Sequence, residues 1–189
     1  MKAHDGISGG RPDAGLAEAL EQLYERYDDR AWVDPDPLVL LYEFEDVRDR
    51  EIAGLVASSL AFGGVRQIMR SVEIALAPMA GRPAAFLAAI PRGELAGIYD
   101  GFRHRWATGG DLAAVLAGAA AMIEADGSLE AGFLAGLAED DETVIPALTA
   151  FAGRIVCGVD DDGACLLPSP CRRSACKRLN LYPVSYTHL

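Results

Sequence analysis

Apolar residues return every three or four positions along nearly the whole chain, the spacing that places them on one face of an α-helix. Runs that alternate apolar and polar, as a half-buried strand requires, are almost absent. Leu16, Leu20, Leu23, Tyr24 and Tyr27 form the first such face, with Asp13 positioned to cap it. Asp36-Pro37 reads as a cap and first-turn proline for Leu38 to Glu43. Asp46 opens the clearest helix, whose stripe is Ile52, Leu55, Val56 and Leu60. Its small residues Ala53, Gly54, Ala57 and Ser58 invite a neighbouring helix to close approach. Gly63-Gly64 ends it, and Val65 to Met79, Pro83 to Ala89 and Glu94 to Tyr99 follow as further helical segments. Asp111 is expected to cap Leu112 to Ala125, and Ser128 to cap Leu129 to Ala138, which would bury Leu129, Phe133, Leu134 and Leu137. A further helix is read from Glu142 or Thr143, carrying Ile145, Leu148, Phe151 and Ile155, and a last one at Lys177 to Tyr182. The fold class is therefore all-α, a multi-helix bundle of short helices, with one candidate hairpin near 155–167 around the turn Asp160-Asp161-Asp162-Gly163.

Composition narrows what such a bundle can do. Hydrophobic residues make up 51% and charged residues 24% of the chain, enough to bury a core and unlike a disordered protein. The net charge of −11 argues against wholesale binding of nucleic acid over the whole surface. No secretory signal pattern opens the sequence, and no run is long and apolar enough to suggest a membrane span, so a soluble, cytoplasmic protein with no membrane partner is expected. Residues 1–12 are expected to be disordered and 13–182 to form a single helical domain. Val184 to Leu189 reads like the translation of a sequencing adaptor. On that reading 183–189 is a non-native tail, and the chain is a fragment of a protein that continues past Tyr182.

Motif chemistry is sparse. The four cysteines, Cys157, Cys165, Cys171 and Cys176, lack the paired spacing of a zinc corner, so reduced thiols and no metal site are expected. The Asp-rich turn fails as a calcium loop, because its twelfth position from Asp160 is Cys171 rather than glutamate. None of the Gly-Gly pairs carries the lysine and hydroxyl of a phosphate-binding loop, and no cofactor is implied. Two segments stand out against the acidic background. Phe102-Arg103-His104-Arg105-Trp106 gathers two cations, an imidazole and an indole, and can bind phosphate or stack on a base. It reads more readily as a helix entry, with Phe102 and Trp106 in the core, Arg103 and Arg105 paired with acidic neighbours and His104 a satisfied structural histidine. Arg172, Arg173, Lys177 and Arg178 form the second segment, and no acidic residue follows Asp162.

Leu167-Pro168-Ser169-Pro170 followed by Ser174-Ala175-Cys176-Lys177-Arg178-Leu179-Asn180 resembles the signature of an uncharacterised, conserved bacterial family. Asp49 to Gly54, Ser59 to Gly63, Phe102 to Arg105 and Gly127 to Glu130 resemble other parts of it. That family is similar at fold level to the helix-hairpin-helix base-excision DNA glycosylases. The resemblance implies a nucleic-acid-acting protein in which Lys177 is the Schiff-base nucleophile, with Arg103, His104, Arg105, Arg173 and Arg178 binding DNA around it. No glycine lies between Pro168 and Lys177, where the glycosylase hairpin carries its own. Two other readings stay open: a non-catalytic helical interaction domain, and an enzyme acting on a small anion between His104 and Lys177.

Overall fold

The computed structural model describes residues 14–156, 166–170 and 174–187. The chain divides after Asp34 into two compact units. The first holds helix α1 (Ala14–Tyr27) and a 3-10 turn, Arg30–Trp32, capped by Asp29 through the Ala31 amide at 2.8 Å. Tyr27 and Trp32 pack ring against ring at 5.1 Å. Leu16, Leu20 and Leu23, read from the sequence as an inward face, are exposed. The Asp13 cap lies outside the described residues.

The second unit is built around α2 (Val47–Ser59), in which every residue from Glu51 to Ser59 is buried. A helix apolar on one stripe would expose its other side. This one is small or apolar almost all round and so can sit at the centre of a bundle. The 3-10 segment Pro37–Glu43, α3 (Val65–Leu76), α4 (Pro83–Ala89), α7 (Leu129–Leu134) and α9 (Lys177–Thr187) pack against it. Close approach is visible at Gly54, where a Cβ would lie 3.3 Å from Leu41 and 3.5 Å from the Tyr182 ring. The second long helix, α6 (Gly109–Asp126), packs on the short α5 (Leu95–Ile98) and on α8 (Ile145–Ile155). There the contact is tighter: a Cβ at Gly118 would fall 1.9 Å from the Ile155 carbonyl oxygen, so only glycine fits. Tyr99 closes the core nearby, donating its hydroxyl to the Ala75 carbonyl at 2.9 Å, and burial pushes its phenol up to about 12.

Caps set the element boundaries. Asp36 and Asp46 accept the Leu38 and Arg48 amides at 2.9 and 2.8 Å, as the sequence indicates. The start of α6 differs from expectation: Thr108 is the cap, and Asp111 is its reciprocal partner at the third helical position, taking the Thr108 amide at 2.7 Å. Ser128 caps α7 through the Ala131 amide. A second side chain serves the same end from outside. Glu51, 1% exposed, accepts the Leu129 and Glu130 amides, each at 3.0 Å. That carboxylate fixes α7 to α2, and α7 stops at Leu134, leaving Leu134 and Leu137 exposed rather than buried.

The one sheet among the described residues is a two-stranded antiparallel hairpin, β1 (Arg103–His104) with β2 (Ala107–Thr108). It replaces the helix entry read there from the aromatic spacing. The candidate hairpin near 155–167 lies largely outside the described residues, and Ile155 itself ends α8. Helix α9 begins at Lys177 as expected but continues to Thr187, with Pro183 inside it, beyond the end read at Tyr182. Among the described residues no single helix is long and apolar enough to cross a membrane.

Candidate functional site

Where α2 ends, the chain turns through Phe62, Gly63 and Gly64 into α3. Gly63 has φ +115°, a conformation that favours glycine. The hairpin comes back onto this turn. Of its two loop residues only the first, Arg105, has positive φ (+54°), a conformation that usually falls to glycine. The turn holds Arg105 against Gly63: a Cβ there would meet the Arg105 Cδ at 3.2 Å.

Alternation along so short a hairpin sorts its side chains. His104 faces inward and is fully buried, whereas Arg103 is exposed on the opposite side. Both imidazole nitrogens are engaged. Nε2 lies 2.9 Å from the Phe62 carbonyl and Nδ1 lies 2.8 Å from the Ser71 hydroxyl. A carbonyl oxygen only accepts, so Nε2 is the nitrogen that carries a proton. His104 thus ties the hairpin to α3 and to the end of α2, and it has no nitrogen left for a ligand.

Trp106 is the outward counterpart. Its indole stacks on Phe62 with ring centres 4.6 Å apart and planes 13° from parallel, and the residue remains 46% exposed. Phe62 also meets the His104 ring edge-on at 4.5 Å. Arg178, in the first turn of α9, completes the cluster. Its guanidinium carbon lies 4.8 Å from the Phe62 ring centre and 5.5 Å from that of Trp106, within cation–π range of both. Its Nη1 donates to the Ser59 carbonyl at 3.2 Å, at the end of α2. The hydroxyl of Ser59 is buried and, among the described residues, is the only buried side-chain polar atom without a hydrogen-bond partner.

The structure therefore gathers His104, Arg105 and Arg178 around Phe62 and Trp106. Lys177 precedes Arg178 and is exposed; the sheltered pocket that a desolvated nucleophile requires is not formed around it. Arg103 is exposed on the hairpin face away from His104, and Arg173 lies outside the described residues. Arg103, Arg105 and Lys177 take part in no ion pair among the described residues; the pairs formed there are Arg92–Glu124 and Arg154–Asp126. The small-anion reading fares differently, since His104 is sealed inside and Lys177 faces solvent. A cavity of about 430 Å³ lies elsewhere, between Leu87, Ile90, Arg92, Ile123 and Glu124, and none of the residues singled out from the sequence lines it. Among the described residues no group of histidine, cysteine and carboxylate side chains could hold a metal ion, and Cys176 is buried and free.

Sequence reasoning alone did not place Phe62 and Ser59 in the site. The available signal was an aromatic residue set directly before Gly63-Gly64, just past the end of a helix rich in small residues.

No curated protein and no solved structure matches the chain. A family model, described as a protein of unknown function (DUF2400), matches residues 36–183, which begins within two residues of the boundary between the two compact units and takes in the whole aromatic–cationic cluster. The chain belongs to that family.

Proposed function

We propose that the protein binds nucleic acid, and that the cluster of Phe62, Trp106 and Arg178, with Arg105 and Lys177 beside it, is where it does so. One observation carries the reading: a half-exposed indole, backed by a phenyl ring and an arginine, stands beside the exposed cations Arg105 and Lys177, which make no ion pair among the described residues. An aromatic face offers a base something to stack on, and unpaired guanidinium and ammonium groups offer phosphates a counter-charge. In a chain of net charge −11 such cations would find abundant carboxylates if pairing were their role. Lys177 fits this reading as a phosphate contact. A Schiff-base lysine works from a dry pocket that disfavours its charged form, and the exposure of Lys177 supports binding rather than bond-breaking.

The test is the affinity for a fluorescently labelled oligonucleotide, measured across a salt series. Each lost phosphate contact should flatten the plot of log K against log salt by about 0.7 to 0.9. Arg105→Ala and Lys177→Ala are each expected to show that change. Binding that ignores salt, or slopes that stay unchanged in both variants, would remove the proposal.

A further inference from the structure

Resting on that reading, we infer that the ligand is single-stranded, and that one unpaired base stacks on the outer face of Trp106. The inner face of the indole is taken by Phe62 at 4.6 Å, and the 46% exposure of the residue leaves the other face to solvent. The indole is held rather than loose, because Phe62 is itself fixed by the edge of His104 and by the guanidinium of Arg178. A fixed ring loses little freedom when a base settles on it, which is the condition under which stacking contributes most to affinity.

The base faces separate the two forms of nucleic acid. The bases of a duplex are already stacked on one another, so they have no face to offer a lone indole. Among the described residues the exposed cations of the hairpin and of the first turn of α9 are Arg103, Arg105 and Lys177, with Arg178 engaged by the rings and by the Ser59 carbonyl. One indole backed by a single ring suits a strand whose bases are unpaired and can settle on it. His104, sealed and fully hydrogen-bonded, gives no pocket for reading the edge of the base, so stacking without sequence preference is expected.

Trp32 and Trp106 are the two tryptophans of the chain, so Trp32→Phe leaves Trp106 as the sole indole reporter. That variant would be titrated with a short mixed-sequence single strand and with the same sequence in a duplex closed at both ends by glycol linkers that carry no bases. The single strand is expected to quench Trp106 emission and to bind about tenfold or more tighter than the closed duplex. Trp106→Ala, in the otherwise unchanged chain, should weaken single-strand binding by about tenfold, with Trp106→Phe keeping most of it. Single-strand binding without quenching, or equal affinity for the closed duplex, would overturn this inference and leave the nucleic-acid reading standing. Absence of binding to either ligand would overturn both.

Discussion

The two ends of α2 handle charge in opposite ways. Toward its start, the Glu51 carboxylate is buried, and two backbone amides of α7 supply both of its oxygens with donors at 3.0 Å. At its far end, the Ser59 carbonyl takes Arg178, while the Ser59 hydroxyl has no partner and Trp106 turns an open ring face to solvent. A polar group answered entirely by its own chain holds the fold together. An aromatic face left open at the rim of a rigid cluster is available to a ligand. The same helix therefore carries an anchor at one end and a candidate recognition surface at the other.

The largest effect is expected at the anchor. Glu51→Ala would leave two amides at the start of α7 without acceptors, a loss of about 2 to 6 kcal/mol at roughly 1 to 3 kcal/mol for each orphan. Chemical denaturation would measure it, and a midpoint close to that of the parent would break the contrast from the structural side. A smaller, pH-dependent effect sharpens it at Tyr99. Its phenol is raised from 10.0 to about 12 by burial, so the folded state favours the neutral form. The stability this contributes is complete below pH 10 and is lost as the pH rises from 10 toward 12. Absorbance titration should show a tyrosine ionising near 12 that Tyr99→Phe removes, and its absence would mean that the core around Ala75 is looser than described.

Much of the anchor side was legible in the sequence. The small residues of α2, the caps at Asp36, Asp46 and Ser128, and the helical start at Lys177 follow from local chemistry and all form as read. The recognition side was only partly legible. A hairpin with two-residue strands is too short to show alternation, and its turn uses arginine where glycine is usual, so Phe102 to Trp106 looked like helix. The cap of α6 was misplaced because Thr108 and Asp111 are both capping residues and only the geometry distinguishes their roles. The contact of Arg178 with Ser59 and Phe62 crosses more than a hundred residues of sequence, and nothing local encodes it. Periodicity likewise defines a face without saying what covers it, which is why Leu134 and Leu137 were expected inside and are found exposed.

The most direct test compares stability and binding in one variant, Arg105→Ala combined with Lys177→Ala. Neither side chain is buried or ion-paired among the described residues, so thermal unfolding should stay within a degree or two of the parent, since surface changes of this kind shift stability by only about 0.5 kcal/mol. Affinity for a single-stranded oligonucleotide at low salt should fall by about tenfold or more. A variant that unfolds early yet binds as the parent does would show these cations to be part of the fold, and would contradict the division between the two ends of α2.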